Sequence, residues 1–164
     1  MHSRHNQVTL YRWIHGGSTM KVDQIMTVNP TCCAQSDTAD KAAGIMRDND
    51  VGSVPVVESD QLYKLVGIVT DRDLCLNVIA DGRDPKKVSV GECMSDEPIV
   101  CAPDDDVDHV MNLMQKHQIR RIPVVDKEGR IEGIVSTADL VLNADASAQE
   151  IDETLTEISE PNEQ

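Results

Sequence analysis

One phrase is written twice in this chain, and whatever fold it adopts has to accommodate the repetition. "GSVPVVESDQLYKLVGIVTDRDL", from Gly52 to Leu74, returns as "RRIPVVDKEGRIEGIVSTADL", from Arg120 to Leu140. Met26/Met94, Pro30/Pro98, Cys33/Cys101, Asp37/Asp105, Asp40/Asp108, Met46/Met114 and Pro55/Pro123 match at a spacing of 68 residues. Gly67/Gly133, Asp73/Asp139, Leu74/Leu140 and Asn77/Asn143 match at 66. The two-residue discrepancy falls between Glu58 and Gly67, where a hairpin loop absorbs a length change at little cost. Two copies of one supersecondary unit are therefore predicted, and within 164 residues they are small halves that share a core.

Each unit reads in the same order. A short apolar stretch, "TCCA" or "IVCA", precedes an acidic helix start, "SDTAD" or "PDDDVD", whose Asp and Thr side chains are suited to capping free amides. Ala39, Ala42, Ala43 and Met46 then recur at helical spacing, as do Val107, Val110, Met111 and Met114, so one stripe of each helix is predicted to pack on a sheet. Two β-branched runs follow in each copy, separated in the second by Lys127-Glu128-Gly129-Arg130, a hairpin turn with glycine available for positive φ. Asp71 to Ala80 and Thr137 to Ala144 read as closing helices. The fold class is mixed α+β, a tandem β-α-β-β-α pair: repeat 1 over 20–80, a linker over 81–90 and repeat 2 over 91–144. Residues 1–19 are read as a flexible extension. The acidic tail 145–164 carries Ile151, Leu155 and Ile158 at helical spacing, which fits either a solvated tail or a short helix docking on a partner.

Composition narrows the partners. The formal net charge of −14, from 15 Lys and Arg against 29 Asp and Glu, repels nucleic-acid phosphate and anionic membrane. Of the aromatic residues Tyr11, Trp13 and Tyr63, only Tyr63 lies beyond residue 20, so the body of the chain has no base-stacking platform. No uncharged apolar run approaches the roughly 20 residues of a spanning helix, and Arg12 interrupts the only apolar patch near the start. A cytoplasmic protein is expected. Cys32, Cys33, Cys75, Cys93 and Cys101 include no C-x-x-C pair and read as buried thiols rather than zinc ligands or disulfides. His109 and His117 are eight apart, not the metal-binding i, i+4, and read as surface residues.

The order of these segments, occurring twice, resembles a tandem pair of CBS domains, also called a Bateman module. The resemblance covers about residues 20–144. Its carriers are "QIMTVNPTCCAQSDTADKAAGIM", "VGSVPVV" and "GIVTDRDL" in the first copy, and "ECMSDEPIVCAPDDDVDHVMNLM", "IRRIPVVD" and "GIVSTADL" in the second. It implies two repeats packed sheet to sheet about a pseudo-twofold axis, assembly into a disc-like homodimer, and two clefts that hold adenosine-bearing ligands such as AMP, ADP, ATP or S-adenosylmethionine.

The motif Gly-h-h-[Ser/Thr]-x-x-Asp, where h is apolar, ends a strand and begins a helix at Thr70 and at Ser136. There a hydroxyl and helix amides can meet an anion, and Asp73 or Asp139 one turn on can accept from a ribose diol. The same residues form an ordinary helix cap, and the sequence alone leaves both readings open. By resemblance, Arg121 meets phosphate in the cleft of Ser136 and Asp139, with Thr31 and Gly52 from the first copy. Arg120 approaches the cleft of Thr70 and Asp73, whose other wall carries Ile99. Neighbouring strand residues point opposite ways, so the two arginines are expected to serve different clefts; alternatively both pair with the abundant surface acids. No nucleophile–base pairing, P-loop or H-E-x-x-H is read in these residues, and a fused catalytic domain is not expected. The expected function is therefore regulatory, without catalysis, without an obligatory cofactor and acting on an unnamed effector protein. The competing expectation is a ligand-free stress-response or interaction module acting through dimerisation.

Overall fold

The computed structural model describes residues 20–59, 62–143 and 148–159. The expected extension 1–19, together with 144–147 and 160–164, lies outside them. A 3-10 turn (Val22–Gln24) and a short strand β1 (Thr27–Val28) lead into the first repeat. That repeat comprises β2 (Cys33–Ala34), α1 (Ala39–Asp48), β3 (Ser53–Val57), β4 (Leu65–Thr70) and α2, an α-helical turn (Asp71–Leu74) widening into a π-helix (Cys75–Ile79). A second 3-10 turn (Val90–Glu92) and β5 (Ser95–Asp96) lead into α3 (Val107–His117), β6 (Arg121–Val125), β7 (Ile131–Ser136) and α4 (Thr137–Asn143), and α5 (Ala148–Ser159) follows. The mixed α+β architecture and its duplication are those expected. Among the described residues no helix is long and apolar enough to cross a membrane.

The sheets do not respect the boundary between repeats. β5, which introduces the second repeat, is the edge strand of the first repeat's sheet, ordered β2-β3-β4-β5; β1, which introduces the first, is the edge of the second's, ordered β1-β7-β6. Thr27 pairs with Ile134 and Val28 with Gly133, and at matched positions Ser95 pairs with Ile68 and Asp96 with Gly67. Cys101 bridges Val124 as Cys33 pairs with Val56, and the hairpin tips meet at Lys64 and Arg130. Each pairing between repeats recurs with the repeats exchanged, so the molecule has a pseudo-twofold axis.

Two cores result where a shared one is expected, and each is completed by the other repeat's lead-in. Val22 and Ile25 are buried with Val107, Val110, Met114, Ile122 and Val135; Val88, Val90 and Cys93 are buried with Ala39, Ala42, Val54, Val56 and Val69. The end of the expected linker is thus core. The crossing segments also cap the helices. Ala39 N donates to Val88 O at 2.9 Å and Val107 N to Met20 O at 3.0 Å, so main-chain carbonyls take the terminal amides that the sequence assigns to Thr and Asp side chains. Thr38 and Asp106 occupy the cap positions without a side-chain cap bond. Asp37 and Asp105 instead accept from Ala34 N and Ala102 N, both at 2.8 Å. Of the two apolar stripes, only Ala43 turns out exposed.

The tail is corrected as well. Within 145–164, α5 packs on the protein's own α3: Thr154 and Ile158 are buried, and Gln115 Nε2 donates to Thr154 Oγ1 at 2.9 Å. Of the apolar positions, Ile158 is buried and Leu155 exposed.

The crossing depends on close backbone approach. A Cβ added at Gly133 would stand 2.5 Å from Met26 Sδ and 3.0 Å from Thr27 O; at Gly67 it would stand 2.7 Å from Met94 Sδ and 2.9 Å from Ser95 O. A thioether can swing away, but a paired main-chain carbonyl cannot. We expect Gly67→Ala and Gly133→Ala each to cost about 1–3 kcal/mol, in the range of overpacked cores, measured by urea denaturation; an unchanged midpoint would contradict the close packing. A second expectation concerns the lead-in of repeat 2. The Ser89 amide, Arg83 and the Ser89 hydroxyl hold the Glu92 carboxyl down at about 2. A depressed carboxylate stabilises above its unfolded value of 4.5 and loses that contribution as pH falls. Glu92→Gln should therefore lower the melting temperature at pH 7, and the gap to the wild type should close as the pH falls from 4.5 to about 2.

Candidate functional site

A cavity of about 540 Å³ opens between the repeats. The first repeat supplies the turns around Asn29–Thr31 and Asn49–Ser53, and the second supplies Arg120, Arg121 and the β7–α4 junction from Ser136 to Asp139. Because β1 is zipped to β7, the turn that follows it is delivered against the other repeat, with Asn29 N donating to Glu132 O at 2.9 Å.

Both first-repeat turns bend through left-handed residues, Asn29 at φ 49° and Asp50 at φ 53°, a conformation that Asn and Asp tolerate better than most residues. Glu97 and Gln118 repeat these bends at matched positions, with φ 47° and 51°. Thr31 Oγ1 donates to Asn49 Oδ1 at 3.3 Å and Asn49 Nδ2 to Ile45 O at 2.9 Å, tying the two turns together.

The junctions carry the capping geometry in full. Asp139 Oδ2 accepts from Ser136 N at 2.7 Å and from Ser136 Oγ at 2.6 Å, and Asp139 N donates back to Ser136 Oγ at 3.3 Å. Thr70 and Asp73 repeat it, with Asp73 Oδ2 accepting at 2.9 and 2.7 Å and Asp73 N donating at 3.1 Å. One oxygen of each aspartate is committed to its helix, which leaves Oδ1 for any further donor.

Thr31, Gly52, Arg120, Arg121, Ser136 and Asp139 all line the one cavity, while Thr70, Asp73 and Ile99 lie outside it. Ile99 packs against the second repeat's core. Arg120, expected toward the cleft of Thr70 and Asp73, lines this cavity as well, and it precedes β6, which begins at Arg121. Arg120 O accepts from Thr137 N at 3.0 Å, which ties the residue to this junction. The polar lining residues Asn29, Asn49, Asp50 and Thr137 were not singled out from sequence; the turn-forming pairs Asn29-Pro30 and Asn49-Asp50, adjacent to Thr31 and Gly52, are the signal that points to them.

The charged residues of the lining are two arginines, Arg120 and Arg121, and two aspartates, Asp50 and Asp139. Arg120 is exposed and Arg121 half-buried. Neither guanidinium has a hydrogen-bond or ion-pair partner among the described residues, although seven ion pairs engage other cations of the chain. The alternative in which both arginines are spent on surface acids is not what the structure shows. Beside them, a Cβ at Gly52 would stand 3.1 Å from Arg121 Nη2 and 3.1 Å from Asp71 Oδ2.

Elsewhere the thiols behave mainly as apolar groups. Burial pushes Cys33 and Cys101 up to about 12, whereas Cys75 is exposed, against expectation. Among the described residues no three His, Cys, Asp or Glu side chains are grouped to hold a metal ion.

Residues 22–79 and 90–157 each match the CBS domain, and the chain belongs to the CBS-domain family. It is 39% identical over 140 residues to the uncharacterised protein YlbB of Bacillus subtilis (strain 168), covering 85% of this chain and 92% of that one. Among solved structures, it is similar to the CBS domain pair of protein MJ0100 in complex with 5'-methylthioadenosine and S-adenosyl-L-methionine (31% identity, TM-score 0.65, covering 75% of this chain and 94% of that one). It is also similar to CBSX2 in complex with AMP (28% identity, TM-score 0.63, covering 74% and 93%).

Since Ser136 caps α4, Ser136→Ala should lower stability by about 1 kcal/mol, the usual cost of losing a cap. Chemical denaturation checks this without any ligand, and an unaltered unfolding curve would show that the junction is held by other contacts.

Proposed function

We propose that this protein is a regulatory module that takes an adenosine-containing ligand, of the AMP, ADP or ATP class or S-adenosylmethionine, into the cleft between its repeats and performs no catalysis of its own. The observation that carries the reading is the pair of unpartnered guanidiniums on a 540 Å³ cavity in a chain of net charge −14. In so acidic a protein an arginine without a counter-ion is available to an anion from outside, and a charge-assisted contact to phosphate contributes about 1.5–3 kcal/mol. Asp139 Oδ1 is the acceptor for a ribose diol, and the adenosine complexes of the two similar structures support that class of ligand. The hydroxyl–carboxylate contact in the lining, Ser136 Oγ to Asp139 Oδ2, belongs to the cap of α4, and no His, Lys or Cys is among the lining residues. The ligand regulates by favouring one packing of the two repeats over another, which requires unequal affinity for the two arrangements.

A second reading has its own observation. Leu76, Ile79, Val141 and Leu142 stand on the closing helices with 50–78% exposure, and Leu76 matches Leu142 at the 66-residue spacing. Such a repeated apolar surface suits a homodimer, and through it a ligand-free interaction module or contact with an effector protein.

Calorimetry against AMP, ADP, ATP and S-adenosylmethionine separates the two. At a ligand concentration about 100 times Kd, mass action contributes about 2.7 kcal/mol, or roughly 5–10 °C in melting temperature for a chain of this size. Arg121→Ala should remove most of that shift while leaving the free protein folded. Failure of every compound at millimolar concentration would transfer the function to the interaction surface.

A further inference from the structure

Resting on the cleft's reading as a nucleotide-class site, the geometry points to Asp71, which lies behind the wall at Gly52 and adds to the lining carboxylates Asp50 and Asp139, as a residue that limits how much negative charge the ligand may carry. Gly52 lines the cavity, and the methyl-sized gap beside its Cα ends on Arg121 Nη2 on one side and Asp71 Oδ2 on the other, each 3.1 Å from where a Cβ would sit. Asp71 is held in place: its amide donates to Gly52 O at 3.1 Å, and its Oδ1 accepts from the Arg72 amide at 2.7 Å. Oδ2 is the oxygen left over, and no ion pair joins it to Arg121 among the described residues.

A ligand anion seated on Arg121 is therefore within a Debye length, about 8 Å at physiological salt, of a fixed negative charge. A side chain at position 52 would stand between that carboxylate and the arginine, and glycine leaves the space open. The repulsion grows with each phosphate while the arginine's attraction is already committed to the first. Neutral adenosine is indifferent to Asp71, AMP is slightly disfavoured and ATP most. The carboxylate is not demanded by the repeated architecture, because the matched residue in the second copy is Thr137, whose amide makes the equivalent bond to Arg120 O at 3.0 Å.

The test is calorimetric titration of adenosine, AMP, ADP and ATP, in metal-free buffer at physiological salt, into wild type, Asp71→Asn and Asp71→Thr. Asn keeps the acceptor for the Arg72 amide, and Thr installs the residue of the other repeat. Both variants should leave adenosine affinity unchanged, raise that of AMP about threefold and raise that of ATP about tenfold or more, as expected for removing one charge at this range. Affinities that stay put, or that move equally for all four compounds, in a wild type that binds would overturn the role of Asp71 and leave the cleft reading intact. No binding of any of the four to any of the three proteins would overturn both.

Discussion

At Gly67 and Gly133 a main-chain carbonyl and a methionine sulfur occupy the space where a side chain would begin. That contact lets each lead-in strand lie flat on the other repeat's sheet, and the remaining architecture follows from it. The crossing strands bring Val22 and Val90 into cores they do not adjoin in sequence, and neighbouring main-chain carbonyls close the first turn of α1 and α3. The same crossing sets the Asn29–Thr31 turn against β7 and so gives the cavity its first-repeat wall. Fold and cleft are consequences of one steric permission, granted twice.

The duplicated phrase made the element order, the hairpins and the matched strands legible, because apolar periodicity and turn residues are local signals. What stayed hidden is non-local. Nothing in "KVDQIMTV" or "KKVSVGECM" says which core receives its valines, so residues 81–90 read as a linker although Val88 and Val90 are interior. The acidic helix starts were read as side-chain caps because Asp and Thr are the usual capping residues, and the true acceptors are carbonyls remote in sequence. Likewise the contact of α5 with α3, including the hydrogen bond from Gln115 to Thr154, joins residues too far apart in sequence for local periodicity to show it.

Six of the nine residues singled out from the sequence line the cavity between the repeats, because each lies at a turn or a strand–helix junction that the duplicated motifs mark. The [Ser/Thr]-x-x-Asp motif shows that capping and ligand contact are not rival uses: a carboxylate has two oxygens, and the helix occupies one. The repeats nonetheless differ where it matters for anions, with Gly52-Ser53 in one copy set against Arg120-Arg121 in the other.

The exchange of lead-in strands also sets an order of events during synthesis. Val22 and Ile25 leave the ribosome early, yet the residues that cover them, Val107 to Val135, emerge some hundred positions later. The first repeat is short of Val88 and Val90 for most of that interval. Until the second repeat has been made, a nascent chain thus carries valines whose covering residues are still missing.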